Sequence, residues 1–465
     1  MYDFCIIGGG AIGCAIAREL TRYKAEVALV EAAPDVCTGT SGANSAIIHS
    51  GYDPATGTLM AKYNVLGSRM FRTYAAMLGV PYKQTGSLTV ATDEAELETL
   101  RALLARGEKN GVKGLSIIDS DEAHRREPAL ADGVIAALYA PTAAIIDPFA
   151  LTYALRENAE ANGAVFKFNF EVSGAEFADD GITLRSGAGD TLRAKTVINC
   201  AGGHGGEVAR ILGELVYLTH RAGEYLMFDR VPFVGMPIFQ TPTAIGKGVL
   251  VAPTVHGNFF IGPTAVDCPK SEAAMRRVGF DELAASAAKS VKGVPYAKRI
   301  TSFVGVRALS QTGDFMIGTG RVNRNVYNVI GIGSPGLSSV PAIASAVARS
   351  FGLEERKDFN PARKPIPKLE GKTAAEKNAL IASDSAYGNV VCMCATVSEA
   401  EVVEAIRRGA RTVDGVKKRV GAGMGRCQGG FCESKVISLL ARELGVDENR
   451  IVRKTSGSRC LGEDV

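Results

Sequence analysis

The sequence predicts an α/β fold (α+β overall) in three parts: a doubly wound nucleotide-binding domain, an interleaved antiparallel-sheet domain, and a small, mostly helical C-terminal module. Three observations carry this reading. An apolar run at residues 2–7 enters Gly8-Gly9-Gly10-Ala11-Ile12-Gly13 and is followed by helical spacing, the opening of a βαβ unit. Strand-to-glycine transitions recur at 195–206 and 326–336, with strand–turn–strand patterns such as 248–263 between them, so the second domain interrupts the first. Beyond Arg356 the texture changes: Pro361, Pro365 and Pro367 among many charges read as a linker, and a compact cysteine-bearing segment follows. The expected divisions are 1–80, 141–215 and 325–355 for the nucleotide domain, 81–140 and 216–324 for a substrate domain, 356–385 for the linker and 386–465 for the terminal module.

The chain has 465 residues, enough for two or three domains, and its 46% hydrophobic and 22% charged residues are the balance of a globular protein with a full core. No stretch reaches the ~18 uninterrupted apolar residues of a membrane span, and the N-terminus opens in a strand without a basic leader. A cytoplasmic protein with no membrane span of its own is expected. Ten cysteines in such a chain favour metal or redox use over disulfides, and six of them (Cys5, Cys14, Cys37, Cys200, Cys268, Cys460) are scattered as small thiols. From Arg356 on, 20 Lys+Arg face 14 Asp+Glu, against 33 and 35 before it, so the tail is mildly basic. No basic patch interleaved with aromatics points to nucleic acid.

In the first glycine turn, Gly8 permits the tight bend, Gly10 lets the backbone approach a pyrophosphate and Gly13 allows close helix–strand packing. The helix that follows turns its free N–H groups and positive dipole end to the phosphates. Glu31 ends the second strand 18 residues after Gly13, where a carboxylate accepts hydrogen bonds from ribose hydroxyls. The motif alone does not separate FAD from NAD. The mid-chain strand into Ala201-Gly202-Gly203, and Gly331-Ile332-Gly333-Ser334-Pro335-Gly336 opening a late helix, favour FAD. A helix N-terminus there stabilises negative charge on a reduced flavin's pyrimidine edge.

These motifs, with Thr40-Ser41-Gly42-Ala43-Asn44-Ser45, Ile48-His49-Ser50-Gly51-Tyr52 and Gly305-Val306-Arg307, resemble the glutathione-reductase-like flavoproteins, in the branch of D-amino-acid oxidase and glycerol-3-phosphate dehydrogenase. With its cysteine-bearing tail the chain resembles the large subunit of anaerobic glycerol-3-phosphate dehydrogenases. The 44–52 stretch is also similar to L-2-hydroxyglutarate dehydrogenase. The resemblance implies a Rossmann-like FAD domain of the glutathione-reductase type. It assigns Gly8, Gly10, Gly13 and Glu31 to the adenosine and pyrophosphate, and Thr40, Ser41 and Asn44 to the path toward the flavin. By the same resemblance Val172 bonds adenine through its backbone, and Gly202, Gly333, Gly336 and Leu337 close around the isoalloxazine.

Cys392 and Cys394 form C-x-C, and Cys427 and Cys432 form C-x₄-C, with 32 residues between the pairs. Four thiolates from two short pairs suit zinc or an iron–sulfur cluster. The C-x-C pair counts against a zinc knuckle, and a flavin on the same chain counts for iron. The tail resembles the bacterioferritin-associated-ferredoxin-like [2Fe–2S] domain, whose stand-alone form has C-x₂-C at the second pair.

Flavin-dependent oxidation of an alcohol or amine needs a base and, for an anionic substrate, a cation. Arg307 is the cation candidate, because a guanidinium fork suits phosphate or carboxylate. His49 is the base candidate, one of only five histidines. His256 reads as a surface turn residue, and His220, Arg221, Glu224 and Tyr225 as a strand of the substrate domain. The resemblance favours oxidation of sn-glycerol 3-phosphate to dihydroxyacetone phosphate. Electrons would pass through flavin and cluster to partner subunits and a quinone, with the protein peripheral at the inner membrane through those subunits. The alternatives are a 2-hydroxy acid, an amine or opine substrate, or a non-catalytic electron-transfer subunit.

Overall fold

Strand Tyr2–Ile7 pairs in parallel with Val27–Val30 on one side and Thr191–Asn199 on the other, so both its edges are hydrogen-bonded, and Phe4–Ile7 are buried. The computed structural model describes every residue except 243–247, 270–273, 456 and 463–465. Around this centre the sheet runs Val172–Ala178, Gly181–Ser186, Thr191–Asn199, Tyr2–Ile7, Val27–Val30, Val165–Lys167. Strand Val326–Ile330 joins Thr191–Asn199 in parallel and carries Met316–Thr319 beside it. Helices Ala11–Leu20, Leu59–Leu78, Pro148–Ala161 and Gly336–Arg349 share one core, which includes Ile16, Leu20, Phe71, Leu155, Ile343 and Val347. The parallel centre with these helices against it confirms the α/β class.

A second sheet is almost wholly antiparallel. It pairs Leu218–Phe228 with Arg299–Ser310 along their lengths and continues through Phe259–Gly262, Leu250–Pro253 and Ile238–Gln240 to Ser87–Ala91, Ala136–Ala140 and Ser116–Asp119. The one parallel contact among these strands is Ile238–Gln240 with Ser87–Ala91, which closes chain segments far apart in sequence. Leu88, Leu226, Phe228, Phe259 and Leu283 fill its core, with the Phe228 and Phe259 rings stacked 4.3 Å apart. A third, small sheet of Ile47–Ile48, Ala144–Ile146 and Tyr82–Gln84 joins the two.

The late helix opens at Gly336, where the glycine turn was expected to open it, and carries Pro341 inside, at the loss of one intrahelical hydrogen bond. One element differs from the expected pattern. The stretch 356–385 is not a free linker. Arg18 Nη2 donates to Pro361 O at 3.0 Å, and Asn158 Nδ2 to Asn360 O and Ala362 O at 3.0 Å each, which straps it to the first domain. It then forms helix Ala374–Ser383, opened by a capping box of Thr373 and Glu376.

The C-terminal module packs helices Glu399–Arg407, Val413–Val420 and Glu433–Leu444 on a two-stranded ribbon, with Val402, Ile406, Val416, Val436 and Leu440 as its own core. It is clamped to the first domain by charge. Asp35, buried, receives Arg156 Nη1 at 3.1 Å and both terminal nitrogens of Arg419, whose guanidinium lies 3.9 Å over the Tyr153 ring. Removing one partner from a buried ion pair strands the other, at about 3–5 kcal/mol. Arg419→Met is therefore expected to lower the melting transition by several degrees and to speed proteolytic cleavage within 356–385, as followed by mass spectrometry of a limited trypsin digest.

Candidate active site and cysteine centre

The first glycine turn is built for close backbone approach. Gly8 has φ +110, and a Cβ on Gly13 would lie 2.0 Å from Gly8 O, so neither position accepts a side chain. The helix it opens presents Ala11 N–H, which donates to Ser41 Oγ at 2.9 Å. Glu31 accepts Gly9 N–H at 2.6 Å and Ala33 N–H at 2.8 Å; burial pushes its carboxyl up while these donors pull it down. Val172 opens its strand within the core of Ile7, Ala28 and Val30. Gly202 begins a short 3₁₀ turn with open space where a Cβ would stand.

Beyond the turn opens a cavity of about 470 Å³. Its walls bring together Thr40, Ser41, Asn44, His49, Arg307, Gly333, Gly336 and Leu337 from three separate stretches of the sequence. Gly8, Gly10, Gly13, Glu31, Val172 and Gly202 are not in its walls; they belong to the glycine turns and strand ends beside it. Asn44 shapes the segment it stands on, its Nδ2 donating to Thr40 O and Ser41 O and its Oδ1 accepting Ala46 N–H. His49 is held through its backbone: its N–H donates to Ser338 Oγ at 2.8 Å, and its carbonyl accepts Asn64 Nδ2 at 2.7 Å. Its ring faces Phe239, centroids 5.6 Å apart.

Arg307 comes from the long strand of the second sheet, directly across from Arg221. Arg221 is neutralised by Asp267 at 2.6 Å. Arg307 Nη2 donates to Thr264 O at 3.2 Å, and its buried Nε has no hydrogen-bond partner among the described residues. Burial lowers its affinity for the proton, as it does for a cation without a counter-ion, although an arginine stays charged. Its strand is stitched to the first domain: Thr40 Oγ donates to Val306 O at 2.6 Å, and a Cβ on Gly305 would lie 2.0 Å from Ala43 O.

His220, Arg221, Glu224 and Tyr225 lie on one strand, Leu218–Phe228, as the sequence reading had it. Tyr225 lines the cavity, stacked on Phe303 at 4.6 Å. Glu224 does not line it; 1% exposed, it accepts Arg276 backbone and guanidinium N–H groups and Thr264 Oγ1. His220 hydrogen-bonds Gly203 O at 2.9 Å, and His256 pairs with Asp147 at 2.8 Å, so both brace turns outside the cavity. Sequence reasoning missed Glu282, Ser286 and Lys289, which line the cavity from helix Gly279–Ala287 and its end. Their i, i+4, i+7 spacing is the polar-face signal that was there to be found.

The four cysteines stand as two pairs drawn across the two motifs. Cys394 Sγ and Cys427 Sγ are 3.8 Å apart, and Cys392 contacts Cys432. Two thiolates on one tetrahedral metal with ~2.3 Å bonds are separated by about 3.8 Å. Among the described residues no three His, Cys, Asp or Glu side chains close on one point as they would around a single ion. Two irons taking one pair each suit this arrangement better than one zinc. The sulfurs also receive donors: the Cys432 thiol first, then the Gly423, Ala395 and Cys394 backbone N–H groups, lower the Cys392 thiol, and Gly429 and Phe431 N–H lower Cys427. The cradle and cavity likewise fit a dinucleotide flavin, with helix starts at Ala11 and Gly336 beside glycine turns that carry no side chains.

These two centres define an oxidoreductase that couples a flavin to an iron–sulfur cluster. The chain belongs to the FAD dependent oxidoreductase family (DAO), which matches residues 3–350, and residues 390–442 match the BFD-like [2Fe–2S] binding domain. Its cofactors are FAD and a [2Fe–2S] cluster. It is 43% identical to a glycerol 3-phosphate dehydrogenase of Caloramator mitchellensis, over 99% of this chain and 98% of that one. A glycerol 3-phosphate oxidase of Mycoplasma genitalium is 33% identical over 77% of this chain and 96% of its own length. Among solved structures, the FAD-bound, dithionite-reduced L-alpha-glycerophosphate oxidase of Mycoplasma pneumoniae superimposes with a TM-score of 0.74 at 30% identity, covering 78% of this chain and 98% of that one. No helix among the described residues is long and apolar enough to cross a membrane.

Two outcomes follow from this geometry. A Cβ on Gly425 would lie 2.3 Å from Cys394 Cβ, so Gly425→Ala is expected to lower iron per chain severalfold by chemical assay while leaving the FAD content unchanged. Glu224, in a buried setting that raises its pKa, is brought below the usual carboxylate range by Arg276 and Thr264. A group depressed in the folded state stabilises fully above its unfolded pKa of ~4.3 and loses that contribution as pH falls through the folded value. The stability gap between wild type and Glu224→Gln, read by urea unfolding, is therefore expected to be constant above about pH 5 and to shrink below ~4.

Proposed function

We propose that the protein oxidises sn-glycerol 3-phosphate to dihydroxyacetone phosphate and hands the electrons to an acceptor outside the chain. The observation that carries this reading is the half-buried Arg307, its buried Nε unpartnered among the described residues, in the same cavity wall as His49. Its fork is suited to two phosphate oxygens, which would supply the missing partner. Whole-length similarity to a protein named for this substrate supports the same choice.

In this reading Arg307 holds the phosphate and fixes the distance from it to carbon 2. His49 takes the proton of the 2-hydroxyl, its main chain held by the Ser338 and Asn64 bonds. Gly8, Gly10, Gly13 and Glu31 hold the adenosine and pyrophosphate, Val172 the adenine, and Thr40, Ser41 and Asn44 the path to the flavin. Gly202, Gly333, Gly336 and Leu337 enclose its ring, and Cys392, Cys394, Cys427 and Cys432 hold the cluster. The bound cofactors supply a two-electron acceptor beside the substrate and a one-electron carrier at the surface. Acceptor protein subunits leading to a quinone are the proposed destination, with this chain peripheral to the membrane that holds the quinone.

Under anaerobic conditions glycerol 3-phosphate is expected to bleach the flavin band, followed by the cluster absorption, and L-2-hydroxyglutarate to leave both unchanged. Bleaching by L-2-hydroxyglutarate alone would replace the substrate; inertness to both would favour an amine substrate or an electron-transfer subunit. Arg307→Lys keeps the charge and loses the fork, so apparent affinity for glycerol 3-phosphate is expected to fall at least about tenfold. His49→Gln is expected to slow bleaching about 10²-fold or more and to flatten its pH profile.

A further inference from the structure

The two cysteine pairs differ in exposure. Cys392 and Cys432 are each 2% exposed and belong to the apolar core of the module. Cys394 is exposed and Cys427 partly so. The added electron of a reduced [2Fe–2S] centre is stabilised by solvent and by donors to sulfur, and only the outer pair has solvent. Beside that pair stand the two most exposed large apolar side chains of the described residues: Phe431 at 85%, next to Cys432, and Met393 at 80%, between the cysteines of the C-x-C motif. Leaving two such side chains in water at a redox centre has no folding rationale, since neither joins the module's core.

The charges bordering these loops are mostly basic. Arg426 precedes Cys427 and is 78% exposed, with Asp229 at 3.4 Å as its counter-ion, and Lys435 is exposed one turn after Cys432. Arg453 and Glu433 neutralise each other. The surplus matches the tail as a whole, with its 20 Lys+Arg against 14 Asp+Glu.

We propose that the Cys394–Cys427 edge is the electron exit, and that Met393 and Phe431 are the apolar contacts on which a one-electron carrier protein with an acidic face docks. Each docking event moves one electron from the reduced cluster to the carrier, with no proton or group transferred, so two events follow each two-electron oxidation. The inference rests on the cluster assignment and not on the identity of the substrate, so its test uses enzyme reduced with dithionite.

Holoenzyme reduced stoichiometrically with dithionite is mixed in a stopped-flow instrument with plastocyanin (acidic), with cytochrome c (basic) or with ferricyanide (small). The wild type is expected to reduce plastocyanin faster than cytochrome c, with a rate that falls as salt rises. The Met393→Ser/Phe431→Ser double variant is expected to slow plastocyanin at least about tenfold, the loss of a docking hot spot, while ferricyanide changes less than about twofold. Its reduction potential and EPR spectrum should match the wild type, since neither side chain ligates iron. Arg426→Glu is expected to slow plastocyanin and speed cytochrome c. Equal slowing with ferricyanide, a shifted EPR spectrum in the double variant, no slowing at all, or faster wild-type reduction of cytochrome c would each overturn the proposal.

Discussion

The structure turns on a single close approach of two backbones, Gly305 against Ala43. The substrate-sheet strand Arg299–Ser310 and the segment that leaves the nucleotide cradle touch so closely that no side chain fits between them, and the Thr40 hydroxyl closes the contact on Val306 O. Arg307 lies two residues beyond Gly305 and His49 six beyond Ala43. The seam therefore sets the spacing between a cation from the second sheet and a histidine that follows strand Ile47–Ile48 of the small third sheet. Neither domain has such a site alone. A shift of one residue in the long antiparallel pairing would turn Arg307 to the opposite face.

The same segment is held from its other end. Cys37, at φ +65, adopts a left-handed conformation that a side chain ordinarily avoids, with its N–H on Gly9 O and its carbonyl on Lys418 Nζ at 3.0 Å. Asp35, two residues earlier, anchors Arg419 of the cysteine module. The nine residues from Asp35 to Ala43 thus contact the glycine turn, the substrate strand and the cysteine module. Electron transfer between two centres needs a fixed separation, and a module on a free linker would not keep one. The strap of 356–363 and the buried charges around Asp35 make the module part of the same body.

How much of this was legible in the sequence divides by range. The glycine turn, its strand and Glu31 were readable because their spacing is local, and the cysteine pairs because their chemistry is rare. The α/β class and the two cofactors followed from them. What escaped was set by tertiary contact. Glu282, Ser286 and Lys289 reach the cavity only because their helix packs over the second sheet. Glu224 was readable as a strand residue, but its engagement with Arg276, fifty-two residues on, was not. The strap looked like a linker because its prolines and charges are those of a linker; its partners Asn158 and Asn162 are some two hundred residues away. The pairing of Cys394 with Cys427 crosses the motifs, so spacing within either motif could not reveal it.

Arg307 shows what the site gives up for its chemistry. A guanidinium whose buried Nε has no hydrogen-bond partner among the described residues costs stability, and nearby carboxylates could have removed the cost. The fold instead directs Asp267 to Arg221 and Glu224 to Arg276, and among the described residues Arg307 donates to Thr264 O. In the proposed role, an anion entering the cavity finds a cation already partly desolvated. Its binding replaces a missing interaction where an exposed arginine would first have to shed water, and that difference is available to hold a small substrate against the reacting groups.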